Sequence, residues 1–161
     1  VCGDSAGGNL AAVCCINSKI NSGPLITHQT LIYPATHMGS NYPSKNKYDG
    51  YILSKRLMKW FEEKYIGNNQ GDFSYSDWRI SPICYDYLHN LPPALIIIAG
   101  CDPLKDEGIA YAEKLKKSGN AVETVIFDGQ IHGFLTMGAR IDDAHKLIKM
   151  VARRISTSLS K

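Results

Sequence analysis

The chain has 161 residues, 44% hydrophobic and 20% charged, which is the balance of an ordinary globular domain with enough length to bury a core. Its 18 basic and 15 acidic residues give a formal charge of +3, too mild to mark a nucleic-acid partner, and no apolar run is long enough to span a membrane. The five cysteines (Cys2, Cys14, Cys15, Cys84 and Cys101) are odd in number and form no C-x-x-C pair, which argues against a zinc or redox motif and points to a reducing, cytoplasmic setting.

The chain starts on its most informative stretch. Val1-Cys2 reads as strand, Gly3-Asp4-Ser5-Ala6-Gly7-Gly8 as a tight turn, and Asn9 to Val13 as the opening of a helix. Strand, serine-bearing turn and helix in that order, with the pattern G-x-S-x-G, describe a nucleophile elbow. Its serine occupies a strained turn, glycines on either side relieve the collisions, and a helix N-terminus below favours negative charge. A glycine-rich turn that merely caps a helix has the same pattern, so the rest of the chain must decide. Because the first residue already falls in the strand, the chain is expected to be the C-terminal portion of a longer protein.

Leu10 to about Ile20 continues as a helix and stops at Asn21-Ser22-Gly23-Pro24. Leu25 to Tyr33, closed by Pro34, suits a strand buried on both faces. From residue 35 to 87 the chain turns polar and aromatic, with Tyr42, Tyr48, Tyr51, Trp60, Phe61, Tyr65, Phe73, Tyr75 and Trp78, and reads as an inserted cap. One helix lies within it, from Ser54 as N-cap to Ile66, with Gly67 as its stop. Leu57, Trp60, Phe61 and Tyr65 share one side of that helix and are expected to seat it on the body, or in part to line a pocket. Ala94 to Gly100 is the most strand-like run, followed by a helix from about Asp106 to Ser118. A strand from Ala121 to Phe127, ended by Asp128-Gly129, and a last helix from about Ile141 to Ser156 complete the order. This alternation requires a mostly parallel sheet flanked by helices, an α/β fold, and functional groups gather past the carboxyl ends of such strands.

Ser5, Asp102 and His132 each fall at such an end, in the order Ser, Asp, His. That order, in α/β-hydrolases, makes the serine a nucleophile, the histidine its base and the aspartate the group that orients the histidine. The backbone N–H of Ala6 would give one donor of an oxyanion hole. Asp106 and Glu107 look suited to the first turn of a helix and its dipole, and Asp128 lies too close to the histidine loop to orient it. His28 falls in a strand, His37 in the insertion, His89 before a Pro-Pro pair and His145 on a helix, so none of them shares the position of His132.

Gly3-Asp4-Ser5-Ala6-Gly7-Gly8-Asn9-Leu10-Ala11, Asp102-Pro103-Leu104-Lys105-Asp106-Glu107-Gly108 and His132-Gly133-Phe134 resemble the three signature blocks of the hormone-sensitive-lipase-like family. The resemblance covers nearly the whole chain. It implies an α/β-hydrolase fold, here the C-terminal half of the sheet, with Ser5 as nucleophile, Asp102 as acid and His132 as base. It further implies hydrolysis of small carboxylic esters of short to medium acyl chains through an acyl-enzyme, with no metal or cofactor. Members also carry a His-Gly-Gly-Gly-type block and further strands upstream of the elbow. Neither occurs here, and since one lost oxyanion donor costs roughly 10²–10³ in rate, the chain alone is expected to be inactive. An open sheet edge would also invite a second copy of the chain, so a homo-oligomer is an expectation. A peptidase or amidase of the same fold fits the elbow equally well, the acid and base blocks favouring the esterase. Retention of His132 speaks against a non-catalytic binding protein derived from the fold.

Overall fold

The computed structural model describes residues 1–67 and 74–159; Phe73, among the aromatics noted above, lies outside the described residues. In chain order the elements are β1 (Cys2–Asp4), α1 (Ala6–Ile20), β2 (Gln29–Ile32), α2 (Pro43–Lys47), α3 (Lys55–Ile66), β3 (Ala94–Cys101), α4 (Lys105–Lys117), β4 (Val122–Ile131) and α5 (Asp142–Leu159). Single 3-10 turns occur at Pro82–Cys84 and Phe134–Thr136. The four strands form one sheet in the order β1-β2-β3-β4, parallel throughout, so every carboxyl end points to the same edge.

The run Ala94-Leu95-Ile96-Ile97-Ile98-Ala99 is buried at every position, because β3 has strands on both sides and helices over both faces. Its period of two divides it between two cores. Ala94, Ile96 and Ile98 pack with Ala12, Ile16, Tyr111 and Leu115 of α1 and α4, while Leu95, Ile97 and Ala99 pack with Phe134 and with Ala144 and Leu147 of α5.

Two boundaries and one burial pattern differ from the sequence reading. β2 begins at Gln29 rather than Leu25, which is 90% exposed. Gln29 lies opposite Ala94, and Pro92-Pro93 before it have no N–H with which to extend the ladder. β4 does not end at Asp128-Gly129 but runs on to Ile131. The pairing slips between Ala99↔Phe127 and Cys101↔Ile131, so Asp128-Gly129 forms an irregularity in the strand instead of a turn. Gly100 permits this: a Cβ there would lie 2.1 Å from the carbonyl oxygen of Asp128. Finally, α3 has the expected cap, with Ser54 accepting from Leu57 N–H and Gly67 closing it at φ 72°, yet it buries no residue. Trp60, Phe61 and Tyr65 are all about half exposed.

Among the described residues, no helix is long and apolar enough to cross a membrane. The cysteines are all free; Cys2 and Cys14 are exposed, and burial pushes the Cys15 thiol up to about 12.

Asn120, after α4, joins three segments. Its Oδ1 accepts from Leu91 N–H at 2.8 Å, and its Nδ2 donates to the carbonyls of Leu88 at 2.7 Å and Leu115 at 2.9 Å. Asn120→Ala leaves these groups without partners and is expected to cost about 1–3 kcal/mol in urea unfolding. A midpoint unchanged from the parent would mean that these bonds hold nothing together.

Candidate active site

Ser5 follows β1 directly and has φ 54° and ψ −119°, a conformation rare for any residue with a side chain. The turn is closed so tightly that a Cβ on Gly3 would lie 2.1 Å from the Gly7 carbonyl oxygen, and one on Gly8 would lie 2.8 Å from Pro34 Cβ. Gly7 has room, its nearest neighbour being 4.0 Å away, so the steric demand falls on Gly3, the first glycine of the G-x-S-x-G pattern, and on Gly8 just beyond it rather than on Gly7. The backbone of Ser5 is tied down on both sides. Its N–H donates to Ile32 O at 2.9 Å, and its carbonyl accepts from Asn9 N–H at 3.1 Å and Ala35 N–H at 3.2 Å. Ala6 opens α1, and an N–H in a first helical turn has no partner within its own helix.

The parallel sheet brings together the three residues read from the sequence. Ser5 Oγ lies 2.9 Å from His132 Nε2, and His132 Nδ1 lies 2.7 Å from Asp102 Oδ2. Asp102 is fully buried and His132 nearly so. The second carboxylate oxygen of Asp102 accepts from Leu104 N–H at 2.8 Å, and its carbonyl accepts from Lys105 N–H, so the group sits in the turn that opens α4. An acceptor-only carboxylate at Nδ1 requires the proton on that nitrogen and leaves Nε2 as an acceptor toward the serine hydroxyl. Gly133, at φ 77°, turns the chain after the histidine into the 3-10 turn that buries Phe134. Three of the other four histidines have ring partners elsewhere: His28 with Thr30, His37 with Tyr42 and His145 with the Gly138 carbonyl.

Glu107 departs from its expected role at a helix dipole. It is 1% exposed, accepts from the backbone N–H groups of Thr36 at 2.8 Å and His37 at 3.1 Å, and pairs with Lys45 at 2.9 Å. Burial pushes its carboxyl above the ordinary range, against the pull of Lys45 and of the two backbone donors. Nearby, Asp106 accepts from Ser44 N–H, and Ser44 Oγ donates to Pro103 O. From the other side Asn9 Nδ2 donates to Ala35 O at 2.7 Å and Ile80 O at 2.8 Å. The first turns of α1 and α4 thus grip both ends of the segment inserted after β2. A signal for Glu107 was present: it falls in phase with Leu104, Gly108, Tyr111 and Leu115, the stripe of α4 that faces the sheet.

The chain belongs to the α/β hydrolase fold family, whose model matches residues 1–136, in agreement with the resemblance carried by the three blocks. It is 39% identical to the carboxylic ester hydrolase LipN of Mycobacterium tuberculosis over 84% of this chain and 37% of that protein. It is 34% identical to the ethyl acetate hydrolase of Pseudomonas putida over 99% of this chain and 50% of that protein. Among solved structures, a hyperthermophilic esterase from the archaeon Pyrobaculum calidifontis superposes with a TM-score of 0.90 at 40% identity, covering 98% of this chain and 52% of that one. The chain spans about half the length of these relatives, or less.

Glu107→Ala would leave the buried Lys45 ammonium without its counter-charge and two backbone donors without their acceptor, and is expected to cost about 3–5 kcal/mol of stability. Denaturant titration of the variant checks this, and a loss no larger than that of an exposed glutamate such as Glu113 would contradict it.

Proposed function

We propose that this chain is the triad-bearing part of a serine carboxylic ester hydrolase, with Ser5 as nucleophile, His132 as general base and Asp102 as the acid that orients it. The observation that carries the reading is the unbroken relay from Ser5 Oγ to His132 to Asp102 at 2.9 and 2.7 Å, on a chain whose relatives are named esterases. His132 Nε2 takes the hydroxyl proton as Ser5 Oγ attacks the ester carbonyl carbon. The imidazolium so formed keeps its Nδ1–H on the Asp102 carboxylate, which stabilises it without taking the proton. The oxyanion of the tetrahedral intermediate faces the Ala6 N–H and the N-terminal end of α1. Collapse expels the alcohol, which receives the proton from His132, and leaves an acyl group on Ser5. Water, activated by the same nitrogen, attacks the acyl-enzyme, and the carboxylic acid leaves.

The substrate class that fits is a small ester of short to medium acyl chain. The stretch 35–87, gripped at both ends next to Ser5 and Asp102, acts as the cap that shapes the acyl and alcohol pockets. Five unpaired thiols suit a reducing, cytoplasmic setting.

Hydrolysis of p-nitrophenyl butyrate, assayed with any residues that precede Val1 in place, tests the assignment. Ser5→Ala is expected to lower kcat by about 10⁶ and to abolish labelling by a fluorophosphonate. Asp102→Asn, which keeps the geometry but imposes the wrong imidazole tautomer, is expected to lower kcat by about 10⁴. Full turnover in Ser5→Ala, or a fluorophosphonate adduct on another residue, would remove the elbow from the mechanism.

A further inference from the structure

The two hydrogen bonds of His132 lie in the plane of its ring, so they set its direction but do little to stop the ring rocking out of plane about the line from Asp102 to Ser5. Only packing can prevent that motion. The group in place to do so is Tyr33, whose ring centroid lies 4.9 Å from that of His132 with the planes inclined at 57°. We infer that Tyr33 is a positioning residue for His132, its ring forming the wall that keeps Nε2 aligned on Ser5 Oγ. The inference rests on the triad reading above.

Tyr33 is itself immobilised. It is 1% exposed, and its backbone N–H donates to Ile97 O of the central strand at 2.7 Å. Its ring packs on Phe134 at 5.8 Å, and Phe134 packs on Phe127 at 5.2 Å, so β4 and the histidine loop back the wall from behind. A φ of 34° puts the residue in a region that side chains avoid, a strain that the surrounding contacts must offset. The hydroxyl contributes less than the ring. It donates to Asp4 Oδ2 at 3.4 Å, which is long for an O–H···O bond. Burial, followed by the charge of Asp4, pushes the phenol well above its ordinary range and keeps it neutral. The ring should therefore be essential and the hydroxyl dispensable.

The test is read by NMR on the isotopically labelled chain, through the hydrogen-bonded Nδ1 proton of His132. In the parent this proton is expected as a low-field resonance that Asp102→Asn removes. Tyr33→Leu should speed its exchange with solvent about tenfold or more, while Tyr33→Phe should leave it within about twofold of the parent. Leu147→Ala, in the same core layer, serves as the control for lost packing and should lower global stability while leaving the resonance in place. A parent chain without the resonance overturns the triad reading and this inference with it. A resonance present in the parent, removed by Asp102→Asn, but unchanged in Tyr33→Leu, overturns this inference alone. Should Tyr33→Leu fail to fold, the phenylalanine variant decides: loss of the resonance there would show that the ring is not the wall.

Discussion

A strand buried on both faces has no water with which to satisfy its backbone, and Ala94–Cys101 is such a strand. Its N–H and C=O groups must all be met by neighbours, which ties β2 to one side and β4 to the other, both in parallel. Its alternate side chains then demand two cores, one beneath α1 and α4 and one beneath α5. From this one requirement the location of the site follows. Parallel strands deliver all their carboxyl ends to one edge, and residues that immediately follow β1, β3 and β4 converge there although 127 positions separate Ser5 from His132.

Two carboxylates on the loop and first turn after β3 show how environment divides labour between like groups. Asp102 and Glu107 are both essentially removed from solvent. Asp102 meets the His132 imidazole and a backbone N–H, the partners that the proposed relay needs. Glu107 meets a permanent cation and two backbone donors, an arrangement suited to holding chain together rather than to moving protons. Pro103, Leu104, Lys105 and Asp106 connect the two, with Ser44 of the inserted segment bonded to Pro103 O and to Asp106. Any displacement of the inserted segment is thereby felt within one helical turn of Asp102.

The grouping of Ser5, Asp102 and His132 at one sheet edge was legible in the sequence because each stands at a strand end, and strand ends are announced by apolar runs and breakers. The order of elements was legible for the same reason. What escaped was set by pairing and by absent neighbours, which no local pattern encodes. Asp128-Gly129 has the composition of a turn, but Gly100 on the adjacent strand admits its backbone and the ladder resumes at Ile131. Leu25 to His28 have the composition of a strand, but the prolines that fall opposite Thr27 and His28 carry no N–H, and the ladder with β3 starts only at Gln29↔Ala94. The apolar side of α3 predicts burial, yet Trp60, Phe61 and Tyr65 stay about half exposed. Glu107 was readable after all, through a phase shared with Tyr111 and Leu115, but a carboxylate in a first helical turn has a simpler use that masked it.

Backbone strain supplies the last link between fold and chemistry. Ser5 and Tyr33 both have positive φ, and they follow Asp4 and Ile32, which are directly paired across β1 and β2. The two strained residues are therefore neighbours at the same level of adjacent strands. Each is held by a backbone bond to the next strand inward, Ser5 N–H to Ile32 O and Tyr33 N–H to Ile97 O. Strain at either position alone would relax by a small shift of its own strand. Held in step, neither strand can relax without breaking the ladder that secures the other, and the buried central strand anchors both. The sheet thus holds Ser5 and the Tyr33 ring beside His132 in advance, which is the preorganisation that the proposed reaction requires.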